Sequence, residues 1–226
     1  KNYLKNLLSN KNIKFVKNDL LNFKILEKNL SNTDIAINVA AESHVDNSYG
    51  NSLIFTKTNT LWTHCFLEAC RKQGVKKIIH VSTDEVYGEN LGKHYNEKQI
   101  LNPTNPYSAS KAAADMIVNS YNHSYNLNVM TVRANNIFGT RQFPEKLISK
   151  TIFSFLNKKK MTIHGNGSSK RYYLSVEDFC EGIIKIIIKG RPGEIYNISS
   201  ERYYNILKIV KLISNYLKIN FKKNIT

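Results

Sequence analysis

Short apolar segments alternate with longer stretches of helical periodicity in the first part of the chain. Four segments are rich in Ile and Val and short enough to be buried parallel strands: Ile13–Val16, Asp34–Val39, Lys76–Val81 and Val129–Val132. The stretches between them predict helices over Leu20–Leu30, Ser52–Gln73 and Ala109–Tyr125, with Asn and Gly at their ends. This order predicts an α/β fold with a parallel sheet and helices on both faces.

The pattern of the sequence changes after Gly139, where a smaller region of mixed helices and strands is predicted. Its helices are expected at Glu145–Asn157, Ser175–Ile188 and Asn205–Leu217, and its strands at Met161–His164 and Glu194–Ile198. We therefore divide the chain into residues 1–139 and 140–226, with segments near 162–190 able to return to the first domain.

Composition is that of an ordinary soluble globular chain. The 226 residues are 42% hydrophobic, which excludes disorder and collagen. No apolar run approaches the ~20 residues of a membrane span, and Lys1–Lys17 lacks the features of a signal peptide. The three cysteines are an odd count without metal-type spacing, so we expect a reducing, cytoplasmic location and no membrane partner.

The net charge of +16 could indicate binding to nucleic acid. The excess is mostly Lys, spread along the chain together with abundant Asn and Ile, and only Lys158–Lys160 forms a run. This pattern favours a compositional bias and a solvated turn over a phosphate-binding patch. We expect no nucleic-acid partner.

Tyr107 and Lys111 form the most informative pair in the sequence. At positions i and i+4 of a predicted helix they share one face, about 5–6 Å apart at Cβ. A nearby ammonium stabilises a phenolate, so we expect Lys111 to lower the Tyr107 pKa from its ordinary value of about 10 and make the phenol a proton acceptor. Such pairs also decorate solvated helix surfaces, and that interpretation stays open.

A second polar cluster, S-T-D-E-V-Y-G, follows the strand predicted at Lys76–Val81. Open parallel sheets bind ligands outside the carboxyl ends of their strands. Asp84 and Glu85 can begin a helical turn with Thr83 or Asp84 as its cap. They can equally form an acid and base pair, because close carboxyls do not both ionise easily and one stays protonated.

Small residues follow the strand predicted at Asp34–Val39. Ala40 and Ala41 would let a bulky ligand approach the backbone, or would pack closely against a helix. His44 is either part of such a site or a satisfied polar histidine. The other histidines, His94 and His164 among them, show no ligand spacing, so we predict no metal site.

In this order, the segments resemble the extended short-chain dehydrogenase/reductase superfamily and, within it, the nucleotide-sugar 4,6-dehydratases. The resemblance runs from about Asn12 to Ile213 and rests on A-A-E-S-H-V-D at 40–46, S-T-D-E-V-Y-G at 82–88, Y-S-A-S-K at 107–111, N-x-F-G at 136–139, F-P-E-K-L-I at 143–148 and Y-N-I at 196–198. The acid pair after Thr83 is typical of the dehydratases. Epimerases and decarboxylases of the superfamily usually lack one of these acids.

The resemblance implies a Rossmann-type doubly wound parallel sheet that binds NAD and a smaller region that binds a nucleotide-diphosphate hexose. It implies catalytic roles for Thr83, Asp84, Glu85, Tyr107 and Lys111. It implies NAD contacts at Asp19, Leu20, Val39, Ala40, Ala41, Thr58, Tyr107 and Lys111. It implies substrate contacts at Ser43, Thr83, Asn136, Lys146, Leu147, Arg171 and Asn197, with the Arg171 fork suited to a diphosphate.

The implied reaction converts dTDP-glucose or UDP-glucose into a 4-keto-6-deoxy sugar. Tyr107 takes the proton of the O4 hydroxyl, Thr83 binds that oxygen, and Lys111 holds the nicotinamide ribose. Glu85 removes the C5 proton, and Asp84, kept protonated, gives a proton to the departing C6 hydroxyl. A homodimer through the helices Ser52–Gln73 and Ala109–Tyr125 is also implied.

The sequence departs from this family pattern in three places. No G-x-x-G-x-x-G or G-x-G-x-x-G turn occurs, so we expect the printed sequence to omit the first βαβ portion and the last substrate-contacting segment. Arg171 is followed by Tyr172 and Tyr173, where bacterial enzymes often have Asp-Trp. A 4-epimerase or decarboxylase of the superfamily, and a non-catalytic binding or regulatory relative, stay open as alternatives.

Overall fold

The computed structural model describes residues 5–89, 95–163 and 165–221, together with Lys223 and Ile225. The helices within them are α1 (Lys5–Leu8), α2 (Phe23–Leu30), α3 (Val45–Gly50), α4 (Ser52–Phe55), α5 (Trp62–Lys72), α6 (Pro106–Tyr125), α7 (Leu147–Leu156), α8 (Val176–Lys189) and α9 (Ile206–Tyr216). The strands within them are β1 (Ile35–Asn38), β2 (Lys77–Thr83), β3 (Val129–Ala134), β4 (Asn136–Phe138), β5 (Lys170–Ser175), β6 (Ile195–Ile198) and β7 (Tyr203–Asn205). None of these helices is long and apolar enough to cross a membrane.

The main sheet is parallel, with the strand order β1-β2-β3-β6. Ile37 of β1 pairs with Ile79 of β2, and Val132 of β3 pairs with Tyr196 of β6. Because all strands run the same way, their carboxyl ends meet at one edge, where ligands bind in such sheets. The predicted α/β class with a parallel sheet is confirmed.

The hydrophobic core lies on both faces of this sheet. Ile78 and Ile79 are fully buried neighbours on β2 that point to opposite sides. Ile78 packs in a cluster with Leu67 of α5, whereas Ile79 packs with Ile183 of α8. Burial of each such side chain contributes about 1.5–3 kcal/mol. The helices of the two faces therefore fix the strands whose ends carry the candidate site.

A second, three-stranded sheet has the order β4-β5-β7, with β4 and β5 parallel and β7 antiparallel to β5. Helices α7 and α9 pack over a smaller cluster that contains Phe155, Met161 and Val210. Two elements from the later part of the chain, α8 and β6, belong instead to the main sheet and its core. The division of the chain at residue 139 stays a prediction.

Three predicted elements differ in the structure. The strand predicted at Ile13–Val16 is wrong, since that segment pairs with no strand among the described residues and its apolar side chains are exposed. At Met161–His164 the structure has an isolated parallel bridge between Met161 and Ile225 in place of a strand, and His164 lies outside the described residues. The long helix predicted at Ser52–Gln73 is present but changes to a π-helical turn over Thr56–Leu61.

Helix α6 begins three residues earlier than predicted because its N-terminus is capped. The Asn105 side chain accepts the Ser108 N–H at 2.9 Å, and the Ser108 hydroxyl accepts the Asn105 N–H at 3.2 Å. Pro106 occupies the first helical position, where a missing N–H costs nothing. This start places Tyr107 in the first turn of α6, at the edge of the sheet.

Candidate active site

Four of the predicted catalytic residues meet at the carboxyl end of β2. Thr83 ends the strand, and its hydroxyl accepts the Glu85 N–H at 3.2 Å, so it caps the 3₁₀ turn Asp84–Tyr87. The Tyr107 phenol, from α6, interacts with the Thr83 side chain, which acts to lower its pKa. The structure thus combines both interpretations of this segment, because the turn that Thr83 caps also brings the two carboxyls to Tyr107.

The electrostatic surroundings of Tyr107 differ from the prediction. Burial raises the pKa of the phenol above its ordinary value, and the negative charges of Glu85 and Asp84 raise it further. The expectation that Lys111 lowers this pKa is wrong for the structure as it stands. The i, i+4 spacing places Lys111 on the same face of α6 as Tyr107. The phenol is nevertheless only 8% exposed, and this burial raises its pKa.

Lys111 lies one turn further along α6 and is buried. Its ammonium donates to the Val81 carbonyl oxygen of β2 at 2.7 Å. Burial lowers the pKa of Lys111 to about 8, while the charge of Asp115 opposes that change. A lysine on a solvated helix surface is therefore excluded, and the ammonium is a fixed donor within the fold.

Asp84 is a carboxyl with an altered proton affinity. Burial raises its pKa to about 6, and the neighbouring Glu85 charge adds to this effect. Asn135 opposes it by donating its side-chain amide to Asp84 Oδ2 at 2.6 Å. A carboxyl with a pKa near 6 exchanges a proton easily at neutral pH, as a general acid must.

Glu85 lies between two groups from other elements. Asn105, the cap of α6, donates its side-chain amide to Glu85 Oε2 at 3.4 Å. Lys146 has a pKa that burial lowers, and the charges of Glu145, Glu85 and Asp46 oppose that effect. The two carboxyls from the turn after β2, the phenol from α6 and the ammonium of Lys146 before α7 therefore lie in one region.

The backbone after β1 is fixed by Asn59, which lies on the π-helical turn and is fully buried. Its side-chain oxygen accepts the Glu42 N–H at 2.9 Å, and its amide donates to the Glu42 carbonyl at 3.0 Å and to the Ser110 hydroxyl at 2.9 Å. Asn59 thus joins the segment that contains Ala40 and Ala41 to the helix that carries Tyr107 and Lys111.

The residues at the end of β1 fit a dinucleotide. Val39 is 59% exposed, Ala40 is half-buried and Ala41 is exposed, so the edge is apolar and lined with small side chains. Asn59 satisfies the backbone N–H and carbonyl of Glu42 and so fixes the main chain that follows this edge. Such an edge lets a cofactor approach the main chain, as NAD requires.

The remaining predicted NAD contacts lie in two places. Thr58 is half-buried on the π-helical turn, one residue before Asn59. Asp19 and Leu20 lie in the turn before α2, where the Asp19 carboxylate accepts the Leu21 N–H at 2.9 Å. Their roles as cofactor contacts stay predictions.

The predicted substrate contacts form two groups. The first lies near the two carboxyls, and the second consists of asparagines whose amides are hydrogen-bonded within the protein. Lys146 donates to the Ser43 carbonyl at 2.5 Å, and Leu147 follows it as the first residue of α7. Arg171 is exposed on β5, and its charge acts on Asp84. These residues can face a ligand beside the carboxyls.

Asn136 and Asn197 have partners within the protein. Asn136 donates its amide to the Tyr172 carbonyl at 3.4 Å. Asn197 accepts the Tyr87 hydroxyl at 2.8 Å and donates to the Tyr95 carbonyl at 3.5 Å. Either amide would have to share or exchange these bonds to contact a substrate.

Sequence reasoning missed three asparagines that position the site, namely Asn59, Asn105 and Asn135. Asn105 belongs to the N-P-T-N-P segment before α6, which is a recognisable cap signal. Asn135 directly precedes the predicted contact Asn136 and follows a strand. Asn59 carries no local signal, because its partners are 17 and 51 residues away.

His44 stands at the N-cap of α3, and its Nδ1 is buried without a hydrogen-bond partner among the described residues. No cluster of three His, Cys, Asp or Glu side chains within the described part of the chain could hold a metal ion. His94 lies outside the described residues, as His164 does.

The parallel sheet and the Tyr107 and Lys111 pair on α6 are features of the extended short-chain dehydrogenase/reductase class. The sequence profile of the GDP-mannose 4,6 dehydratase family matches residues 1–226, and the chain belongs to this family. The resemblance to nucleotide-sugar 4,6-dehydratases is therefore confirmed.

Two curated relatives show how much of a longer protein the chain spans. The dTDP-D-glucose 4,6-dehydratase of Dictyostelium discoideum is 45% identical over 222 residues, which cover 92% of this chain and 51% of that protein. A trifunctional UDP-glucose 4,6-dehydratase, 3,5-epimerase and reductase of Arabidopsis thaliana is also 45% identical over 222 residues, or 32% of its length. The chain thus spans about half or less of these relatives.

Solved structures support the fold throughout the chain. The dTDP-glucose 4,6-dehydratase of Streptomyces venezuelae, crystallised with NAD, superposes with a TM-score of 0.96 at 32% identity, covering 99% of this chain and 69% of its own. The UDP-glucuronic acid 4-epimerase of Bacillus cereus, crystallised with UDP-glucuronic acid and NAD, superposes with a TM-score of 0.92 at 27% identity, covering 97% and 70%. The predicted Rossmann-type fold is confirmed.

Proposed function

We propose that this chain provides the catalytic groups of an NAD-dependent nucleotide-hexose 4,6-dehydratase that acts on dTDP-glucose or UDP-glucose. The main support is the geometry around Asp84, a buried carboxyl that lies beside Glu85 and next to the Tyr107 phenol. Loss of water across C5 and C6 requires both an acid and a base at one hexose. The identities to dTDP- and UDP-glucose 4,6-dehydratases support the same assignment.

In the first stage, Tyr107 accepts the proton of the C4 hydroxyl while Thr83 holds that oxygen. When bound, NAD supplies a positively charged nicotinamide ring that takes the C4 hydride and later returns it to C6, and its charge favours an ionised phenol. Lys111 lies on the same face of α6 and supplies a second positive charge and donors for the ribose. The phenol, whose pKa burial raises, needs these cations to ionise.

In the second stage, the ketone at C4 acidifies the C5 proton, which Glu85 removes. The C6–O bond breaks as Asp84 transfers its proton to the departing hydroxyl, which leaves as water. Asn135 then stabilises the Asp84 carboxylate by its amide. Glu85 returns a proton to C5 as C6 is reduced, so the product is a 4-keto-6-deoxy sugar and the acid and base are restored through solvent.

We also propose binding roles for two sets of residues. Val39, Ala40, Ala41 and Thr58 are proposed to contact NAD, together with Asp19 and Leu20. Ser43, Lys146, Leu147 and Arg171 are proposed to contact the nucleotide sugar, with Arg171 on its diphosphate, and Asn136 and Asn197 complete the set. A planar guanidinium binds a phosphate by two parallel hydrogen bonds.

The assay supplies the complete protein with dTDP-glucose and UDP-glucose in turn and follows the alkali-induced absorbance of a 4-keto-6-deoxy product. We expect product from at least one of them, none from Tyr107→Phe, and full activity from Tyr216→Phe, which alters an exposed tyrosine of α9. A product that retains its C6 hydroxyl would support a 4-epimerase, the activity of the Bacillus cereus relative. Absence of turnover with any sugar nucleotide would reject the proposal.

Homodimerisation in the cytoplasm completes the proposal. Leu53 and Leu61 are 81% and 47% exposed around α4 and the π-helical turn, and Met116 and Tyr125 are each 53% exposed on α6. Such apolar side chains along two neighbouring helices favour contact with a second copy. Light scattering of the complete protein should give twice the monomer mass, and a monomer would contradict the dimer.

A further inference from the structure

A chain of buried polar side chains crosses the main sheet beneath the candidate active site. Asn38 of β1 contacts His80 of β2, with 3.2 Å between Nδ2 and Nδ1. His80 faces Asp115 of α6 at 3.5 Å, and Asp115 Oδ2 accepts Arg133 Nε of β3 at 2.9 Å. Each of these residues is at most 3% exposed. The proposed reaction uses none of them.

Among these buried polar side chains, Asp115 lies on the same helix as Tyr107 and Lys111. On α6, Tyr107, Lys111 and Asp115 follow one another at intervals of four residues, so their side chains form one buried stripe against the sheet. Burying a carboxylate is costly unless charge and hydrogen bonds compensate it. Arg133 provides that compensation through its hydrogen bond, and Lys111, one helical turn earlier on α6, is close enough for the Asp115 charge to raise its pKa.

The groups around Asp115 favour the ionised form of its carboxyl. Burial alone would raise the pKa of its carboxyl, but the His80 ring, 3.5 Å away, and the charge of Arg133 hold it below its ordinary value. Burial also lowers the pKa of His80, and the charge of Lys111 adds to that effect. An ionised Asp115 therefore stands between Arg133, which is always charged, and Lys111.

We propose that Asp115 is a positioning residue for the reaction: its carboxylate, bound to Arg133, anchors α6 to the sheet and keeps the buried Lys111 protonated beside Tyr107. The proposal rests on the proposed function for its catalytic meaning. The groups that face Asp115 come from three elements and are His80 and Ser82 of β2, Arg133 of β3, and Lys111 and Tyr107 of α6.

The test must separate charge from support of the fold. Asp115→Asn would leave Arg133 buried without its partner and would destabilise the protein. The double variant Asp115→Leu with Arg133→Met removes both charges, and such paired apolar replacement is often tolerated. Asp115→Glu is the conservative control that retains the negative charge.

The first measurement needs neither substrate nor cofactor. Unfolding by denaturant is followed against pH for the chain and for its Lys111→Met variant. Because burial lowers the folded-state pKa of Lys111 to about 8, below its unfolded value, the chain with lysine gains stability relative to the methionine variant as pH rises from about 8. In the double-variant background we expect this gain to begin about one pH unit lower. An unchanged onset would overturn the proposal.

The second measurement follows product formation against pH. Above the fall that deprotonation of Asp84 causes from about pH 6, we expect kcat of the wild type to fall more steeply as pH rises through about 8. In the double variant this steeper fall should begin about one unit earlier, while Asp115→Glu keeps the wild-type profile. A role confined to the fold would lower kcat equally at every pH, and that result would overturn the catalytic part of the proposal. If the wild type forms no product, the proposed function fails, and the unfolding measurement still decides the charge relation between Asp115 and Lys111.

Discussion

Asn135 donates its side-chain amide to Asp84 Oδ2 at 2.6 Å, joining the ends of the adjacent strands β3 and β2. The amide oxygen of Asn135 is buried and has no hydrogen-bond partner among the described residues. Because an N–H donor favours a charged carboxylate, this bond opposes the rise in pKa that burial causes. Asn135 therefore influences the pH at which Asp84 can act as an acid.

Replacing Asn135 by Leu should shift the alkaline limit of product formation to higher pH. Leu has a similar volume but no donor, so the pKa of Asp84 rises above about 6 and the acid stays protonated further into the alkaline range. The measurement is kcat against pH. Asn128→Leu is the matched control, because Asn128 lies at the opposite end of β3 and donates to the Lys76 carbonyl. A shift of the limit to lower pH would contradict the role of Asn135.

The proton affinity of Asp84 should also appear in the stability of the fold. Its folded-state pKa, about 6, lies above the ordinary carboxyl value of about 3.9, so the folded protein binds the proton more tightly. Relative to Asp84→Asn, the wild type is therefore most stable below about pH 4 and loses on the order of 2–3 kcal/mol as pH rises to about 6. Urea unfolding of both proteins between these values checks this. A constant difference would show that Asp84 has an ordinary pKa.

Glu85→Gln should separate oxidation from water loss. The amide keeps the size and hydrogen-bonding capacity of Glu85 but cannot accept the C5 proton, so substrate binding persists and the reaction stops at the 4-keto hexose that retains its C6 hydroxyl. Reduction of the quenched reaction with borodeuteride, followed by mass spectrometry, should detect label at C4 without loss of water. Turnover equal to that of the wild type would remove Glu85 from its role.

Asn59→Ala tests the connection between the end of β1 and α6. It leaves the N–H and carbonyl of Glu42 without their side-chain partner, which should cost about 1–3 kcal/mol of folding free energy. It should also weaken NAD binding, because the backbone of Ala40 and Ala41 is no longer fixed. Thermal unfolding and titration with NAD check the two effects. Asn29→Ala, which removes an exposed amide of α2, should change stability by about 0.5 kcal/mol or less. Equal effects from both variants would contradict the connection.

Much of the fold was predictable because apolar runs and turn residues are local signals. The segments Asp34–Val39, Lys76–Val81 and Val129–Val132 contain β1, most of β2 and most of β3. A strand also needs a neighbour, and Ile13–Val16 has none in the described structure, so its apolar character was misleading. Strands β4, β5 and β7 were missed, since β4 and β7 have three residues each and β5 consists mainly of Lys, Arg and Tyr.

The candidate site was predictable as a set of positions and not as a set of proton affinities. Parallel strands bring their carboxyl ends together, so Thr83, Asp84 and Glu85 were expected beside Tyr107. Whether the phenol is more or less acidic depends on burial, which three-dimensional packing decides. Asn59 escaped detection for a related reason, because its role exists only where chain segments distant in sequence meet.

Gly88 ends the turn that carries Asp84 and Glu85, and its replacement by Ala should affect both stability and activity. Its φ of 86° lies in the region that favours glycine, and a Cβ there would overlap the carbonyl oxygen of Asn102. Strain and overpacking together should cost about 2–4 kcal/mol.

Gly74→Ala is the matched control for that variant. Gly74 has a similar φ of 65°, but a Cβ there would meet no atom within 4 Å, so only the backbone strain of about 1–2 kcal/mol is expected. Denaturant unfolding compares the two proteins, and kcat is measured where both are folded. Gly88→Ala should lower kcat because the backbone that carries the acids has to move, whereas Gly74→Ala should leave it unchanged. Equal losses of stability in the two variants would show that the Asn102 carbonyl does not constrain this turn.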